Sequence, residues 1–208
     1  MYELKLSVRP GNWQRFMARK MNPAFSRIAK KIWLRDQHTC QYCGFQAREY
    51  LDVVNYDQDY DNNKARNLMT ACCFCSQCFF LESVGLDEQS SGDLIYLPEI
   101  SQRDLNGLCH VLFCAMSNDN DYKTTAESIY RSLKFRNRIV EETFGAGASD
   151  PRVMGEMIIE YQAQQGQYIV DDVLGSLRLL PNHAKFHRQL QAWAQSALND
   201  VSQEKAVN

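Results

Sequence analysis

The 208-residue sequence contains no run of about 18 apolar residues, no internal repeat, no low-complexity tract and no coiled-coil heptad. The first absence excludes an apolar membrane-spanning helix, and the others exclude a repeat solenoid or a rod. Nor does the N-terminus read as a signal peptide, because Tyr2 to Pro10 alternates apolar and polar residues as a strand does. We therefore expect a folded cytoplasmic protein, and with 45% hydrophobic and 11% aromatic residues the chain can fill a core. In that reducing compartment eight cysteines are not a disulfide framework: close pairs point to metal, and isolated ones to packed thiols.

A large net charge is absent too, yet the formal −2 hides an asymmetry. Through Arg35 the chain carries nine basic residues against Glu3 alone, a balance of +8 that leaves −10 for the rest. Such a split suits nucleic acid or an acidic partner, or a solvated basic helix face.

Several familiar motifs are incomplete. Gly145-Ala-Gly147 is too short and badly placed for a dinucleotide loop. His183 and His187, spaced to share a helix face, lack the glutamate of a zinc protease, since Ala184 stands in its place. Asp57, Asp59 and Asp61 imitate the start of a calcium loop, but Asn62 replaces its glycine and Leu68 its final glutamate. These three aspartates, with Glu49 and Asp52, are expected to form a solvated acidic stretch.

What is present is local periodicity and clustered cysteine. Asn22 as cap, Pro23 in the first turn and a stripe of Phe25, Ile28, Ala29, Ile32 and Trp33 predict a helix over 22–36. A short strand is expected from Asp93 to Ile100, followed by a helix capped by Ser101 whose stripe includes Leu105, Leu108, Cys109, Leu112, Phe113 and Met116. One longer helix is expected from Tyr122 to Phe144, another from Pro151 and a last one from Phe186 to Val201. Cys40 and Cys43 form one Cys-x-x-Cys pair; Cys72, Cys73, Cys75 and Cys78 allow two more, Cys72 with Cys75 or Cys75 with Cys78. Two such pairs suit a structural tetrahedral zinc, which has no open position for substrate. His38 is a weaker alternative ligand, because knuckles favour a short Cys-to-Cys spacing.

The run from Trp33 through Arg35, Asp36, Cys40, Cys43 and Gly44, then Leu51 to Asn55, then Asn67, Leu68, Cys72 and Cys75, resembles the zinc-knuckle HNH endonucleases over about residues 25–80. In that family a strand carries Asp-His, a loop reaches Asn-Leu, and the second Cys-x-x-Cys begins five residues after that Asn. The resemblance therefore implies Cys40, Cys43, Cys72 and Cys75 as ligands of one structural zinc, with Cys73 and Cys78 as packed thiols. It also implies lost catalysis: Val54-Asn55 stands where Asp-His belongs, and Ser76 where the second knuckle ends in Asn or His. Neither valine nor asparagine takes a proton near neutral pH. Over its whole length, including Arg131 to Gly145, the chain resembles the IcmJ family of Dot/Icm type IVB secretion systems. That implies an accessory subunit of the inner-membrane coupling complex, bound to a DotL-like coupling ATPase and to other coupling-complex subunits, with no direct nucleic-acid contact and membrane association through its partners.

The expected class is α+β: an HNH-like (ββα-type) zinc module over residues 1–85 and a mainly helical scaffold over 86–208 packed on it. A metal-dependent nuclease or a non-cleaving DNA binder is the alternative. Tyr42, Phe45, Tyr50, Phe79 and Phe80 are either partner anchors or core.

Overall fold

The computed structural model describes residues 1–165 and 170–207. Two helices open the chain, α1 (Asn12–Lys20) and α2 (Pro23–Arg35). The second begins as its sequence dictates: Asn22 accepts the Ala24 amide at 2.8 Å, and Pro23, with no amide to leave unpaired, sits in the first turn. Phe25, Ala29 and Ile32 turn inward onto Val53 and Leu68, while Arg27, Lys30 and Lys31 face outward. Ile28, assigned to the stripe by spacing, is instead exposed, because it lies at the edge of that face.

The expected N-terminal strand does not form a ladder. Leu4, Leu6 and Val8 are buried while Glu3 and Lys5 are exposed, so the alternation is genuine. However, the Tyr2 amide donates to Gln41 (2.9 Å) and the Ser7 amide to Cys78 (2.9 Å), two different loops rather than one neighbouring strand. The segment is an extended strap that ties both cysteine loops together.

Strands β1 (Leu51–Asn55) and β2 (Leu68–Cys72) pair antiparallel, Leu51 opposite Cys72 and Asn55 opposite Leu68. The short helix α3 (Cys73–Ser76) follows without a break. A second sheet joins β3 (Gly92–Tyr96) to a distant strand that spacing did not reveal. Between them come α4 (Gln102–Ser117), α5 (Lys123–Phe135), α6 (Asn137–Phe144), α7 (Pro151–Gln165) and α8 (Val170–Gly175); then β4 (Leu177–Pro181) and α9 (His187–Val207) complete the described chain. β3 stops at Tyr96, earlier than expected, because Pro98 offers no ladder amide. Ser101 caps α4 through the Asp104 amide, as predicted. The single helix expected over 122–144 is two, broken at Arg136, whose carbonyl receives the Tyr96 amide of β3 and whose guanidinium binds the Glu99 carboxylate. Among the described residues, no helix is long and apolar enough to cross a membrane.

The larger of two hydrophobic clusters among the described residues runs from Leu4 to Trp193, and the smaller is the face of α2 on Val53 and Leu68. Phe74 is the hub of the larger: this fully buried ring from α3 meets His110 and Phe113 of α4, Phe186, and Trp193 of α9, with centroids 4.3 to 5.7 Å apart. Tyr42, Phe79 and Phe80 are core residues, and Phe45 and Tyr50 are half-buried against it. Elsewhere α7 passes so close to residue 82 that a Cβ on Gly155 would lie 2.7 Å from the Glu82 backbone.

Two helix glycines differ in what a side chain would meet. Gly155→Ala should lower stability by about 1–3 kcal/mol, because backbone cannot yield as a side-chain tip can. By contrast, Gly107→Ala, whose Cβ meets only the Cys43 carbonyl at 3.8 Å, should raise it by about 0.5–1 kcal/mol; thermal unfolding checks both. At the same crossing both Glu82 carboxylate oxygens are buried without a hydrogen-bond partner, and burial pushes the group up to about 7 from its ordinary 4.5. The native state therefore holds the proton more tightly, so this contribution is full below pH 4.5 and is lost as pH rises to about 7. The difference in unfolding free energy between wild type and Glu82→Gln should change by about 3 kcal/mol across that window; a flat difference contradicts the assignment.

Candidate metal centre

The centre is assembled by the end of α2. Asp36 caps that helix, accepts both fork nitrogens of Arg35 (2.7 and 3.0 Å), and takes the Thr70 amide at 3.0 Å. Burial opposes the Asp36 charge, but the Arg35 and Thr70 hydrogen bonds outweigh it and hold the carboxyl below its usual range. Arg35 also donates to the Ala65 and Leu68 carbonyls at 2.7 and 2.6 Å. The Arg-Asp pair thus clamps the helix end to β2, and the Gln41 amide reaches the Thr70 carbonyl at 2.8 Å.

From this clamp the first knuckle turns tightly. Gln37 and His38 both adopt left-handed backbone (φ 53°), and the Cys40 amide donates to the Phe45 carbonyl at 2.8 Å. Gly44, at φ 79°, lets the chain double back after Cys43, a conformation that L side chains resist. The second pair comes from β2 and α3, with Cys72 ending the strand and Cys75 inside the helix.

The structure gathers Cys40, Cys43, Cys72 and Cys75, whose sulfurs lie within 4.8 Å of one another. The Cys43 and Cys72 sulfurs are 3.7 Å apart. A tetrahedron with metal–sulfur bonds of about 2.3 Å has edges of about 3.8 Å, so the spacing fits a thiolate-bound ion. Cys73 and Cys78 are buried outside the group, and the Cys78 thiol donates to the Phe74 carbonyl at 3.3 Å. Charge is unevenly shared. Burial raises Cys40, Cys72 and Cys75, but hydrogen bonds from Cys43, Cys72 and Cys75 hold Cys40 well below the ordinary thiol range, while Cys72 and Cys75 lie well above it.

Two partners of these sulfurs come from α4. The Asn106 amide donates to Cys75 Sγ at 3.3 Å and to the Phe74 carbonyl at 3.1 Å. His110 Nε2 lies 3.4 Å from Cys72 Sγ, its ring stacked between Phe45 (3.6 Å) and Phe74 (4.3 Å). Burial depresses His110 to about 3, so the ring is neutral and one hydrogen bond joins its Nε2 to the Cys72 sulfur. Neither residue was anticipated. Gln102, Asn106 and His110 nonetheless recur every four residues on the buried face of α4, and polar residues inside an apolar stripe are the signal that could have found them.

The remaining candidates fall elsewhere. His38 is outside the sulfur group. His183 and His187 do not share a helix: the first sits in a short 3-10 turn (His183–Lys185), its Nε2 3.2 Å from the Ser117 hydroxyl oxygen, and the second begins α9. Asp52, grouped with the loop charges by sequence, is buried, 2.7 Å from Lys20 Nζ and accepting the Ser76 hydroxyl at 2.7 Å. The exposed Asp57 accepts from Asn67 and Asn62, so Asn67 shapes the loop.

The positions beside β1 are filled from α1. Asn55 is buried; its side-chain oxygen accepts from Arg19, and its amide donates to the Asp59 and Asn62 carbonyls. Arg19 also donates to the Val53 carbonyl at 2.6 Å, its guanidinium 4.2 Å from the Phe25 ring centroid and 4.9 Å from that of Tyr60. Desolvation lowers Arg19 to about 10, which leaves it charged at neutral pH.

If the four gathered thiols hold the ion, Cys72→Ser should cost most of the bound zinc in a colorimetric chelator assay, and Cys78→Ser should retain it. Asn106→Ala should weaken zinc binding by about 10–100-fold, because donors to the ligands tune affinity. Zinc loss in Cys78→Ser with retention in Cys72→Ser would reverse the ligand assignment.

No protein-family model matches the chain. It is similar to the type 4 apparatus protein DotN of Legionella pneumophila subsp. pneumophila (strain Philadelphia 1), with 52% identity over 200 residues, covering 96% of this chain and 93% of that protein.

Proposed function

The chain belongs to the DotN family of type 4 apparatus proteins, and from that membership we propose that it is a non-catalytic, zinc-stabilised adaptor of a bacterial type IVB secretion coupling complex. In this reading residues 1–85 form an HNH-like module held by one structural zinc on Cys40, Cys43, Cys72 and Cys75, and residues 86–208 are a scaffold packed on it. Zinc bound by four thiolates cross-links the two knuckles and offers no open coordination position. The adaptor binds a DotL-like coupling ATPase and other coupling-complex subunits, supports effector export, and sits in the cytoplasm at the inner membrane through those partners.

The observation that carries the non-catalytic reading is the filling of β1's flanks by α1. HNH chemistry needs a general base and a metal-binding carboxylate beside the scissile phosphate. Here Asn55, in the place of the base, receives a hydrogen bond from the Arg19 guanidinium. The nearby carboxylate, Asp52, is ion-paired with Lys20 and accepts the Ser76 hydroxyl. Two cations from one helix thus flank β1, which supports the loss of an ion and substrate site there, and moving Arg19 would leave the Val53 carbonyl and the Asn55 side-chain oxygen without this donor, at a cost of about 1–3 kcal/mol each.

Purified protein incubated with supercoiled plasmid and Mg²⁺, Mn²⁺ or Ni²⁺ should leave the DNA intact, and affinity purification from solubilised membranes should recover the coupling ATPase. Nicking that vanishes in Asn67→Ala would overturn the non-catalytic assignment. Purifications that never contain the ATPase would overturn the partner.

A further inference from the structure

Helix α2 has two faces of different chemistry. Phe25, Ala29 and Ile32 pack on Val53 and Leu68, whereas Arg27, Lys30, Lys31 and Leu34, spaced i, i+3, i+4 and i+7, form one exposed stripe. Three cations and a leucine that is 68% exposed thus share the outward side, and Met21, in the turn before α2, is 77% exposed. The 3-10 turn Ala65–Asn67 lies against the end of this helix, because Arg35 donates to the Ala65 carbonyl at 2.7 Å. That turn brings two further exposed cations, Lys64 just before it and Arg66 within it.

These charges are not balanced within the described fold. Residues 4–35 contain neither aspartate nor glutamate. Among the described residues, none of Arg27, Lys30, Lys31, Lys64 and Arg66 makes an ion pair or a side-chain hydrogen bond. The carboxylates that adjoin these elements are already engaged: Asp36 with Arg35 and the Thr70 amide, Asp57 with Asn62 and Asn67, Asp59 with the Asp61 amide, and Asp61 with Arg15 at 4.0 Å. The occupant that suits five unpaired cations is anionic, and the leucine narrows it further. Nucleic acid takes cations to its phosphates and aromatic side chains to its bases, so an aliphatic chain among the cations gains nothing there. A lipid interface takes both, cations at the headgroups and an aliphatic side chain at the acyl boundary beneath them.

We propose that the outward face of α2 docks directly on an anionic lipid surface, with Arg27, Lys30, Lys31, Lys64 and Arg66 at the headgroups and Leu34 inserted beneath them. Each cation near such a surface raises the partition by about fivefold, and the attraction fades within a Debye length, so several must act together. The face thus adds a direct contact to a protein otherwise held at the membrane by its partners. That the surface is the inner membrane rests on the adaptor reading above, whereas the preference for anionic lipid rests on α2 and the turn beside it alone.

The test sediments the full zinc-loaded chain with vesicles of phosphatidylcholine alone or with about a third phosphatidylglycerol. The mixed vesicles should carry the protein down at about 0.05 M salt and release it at about 0.5 M, and the neutral vesicles should not bind it. Arg27→Gln with Lys30→Gln and Lys31→Gln should lower the partition coefficient about 100-fold. Neutralising three exposed cations elsewhere, Lys123→Gln with Arg131→Gln and Arg138→Gln on α5 and α6, should leave it within about twofold. Leu34→Ser should lower it by at least about threefold, a change that attraction to phosphate alone would not show. Unchanged zinc content and circular dichroism would establish that these variants fold. Equal binding to both vesicles, no binding to either, equal loss in the two triple variants, or wild-type binding by Leu34→Ser would overturn the proposal. Binding to duplex DNA at a salt concentration that releases the vesicles would overturn it in favour of a nucleic-acid surface. Vesicle binding without recovery of the coupling ATPase would overturn the partner and leave the lipid face standing, and recovery without vesicle binding would do the reverse.

Discussion

Crowding four cysteine sulfurs within 4.8 Å of one another sets a condition that the surrounding structure must meet. Neutral thiols can share that space, but thiolates there repel one another, so the charged form of the group suits a balancing cation. The chain supplies everything else. Arg35 and Asp36 clamp α2 to β2, Gly44 turns the first knuckle, and the strap of residues 2–8 spans both cysteine loops. Asn106 then donates to the Cys75 sulfur and His110 hydrogen-bonds the Cys72 sulfur, both from α4. Charge in a dry place thus dictates polar groups on the buried face of α4, where packing alone would favour leucine.

A second charge arrangement lies on β1, and it works in the opposite sense. Arg19 and Lys20, consecutive on α1, reach different strand residues because successive side chains on β1 point to opposite faces, Arg19 to Asn55 and Lys20 to Asp52. One short helix therefore seals both faces of a strand. Part of the basic excess in the first 35 residues is absorbed inside the fold by this arrangement, so it does not by itself describe a surface for phosphate.

The legibility of the sequence followed the range of the forces involved. Local signals were readable: the Asn22-Pro23 start, the Ser101 cap and the stripe of α4 depend on neighbours within one or two turns. The mixed helix and small-sheet character was readable for the same reason. β4 was not, because Leu177 to Pro181 takes its partner from β3, some 85 residues away by the Tyr96–Leu177 and Gly92–Pro181 pairing, and a five-residue apolar run has no distinctive period. The break at Arg136 was hidden likewise, since it is imposed by the Tyr96 amide and Glu99 rather than by a local breaker. At the centre, cysteine spacing was informative while the donors to sulfur were not sought, and the pairing of His183 with His187 failed because a turn, not a helix, holds the first of them.

Phe74 carries an implication for how the protein is made. It lies between Cys72 and Cys75 in sequence, yet the surfaces that cover its ring belong to residues 110, 113, 186 and 193. A nascent chain ending anywhere before α9 holds both knuckles but leaves that ring and His110 wet, so the sulfur cluster sits in a high dielectric where its donors are weak. Packing around Phe74 thus waits on α9, far along the chain from both knuckles, and a chain that lacks α9 carries an open apolar face.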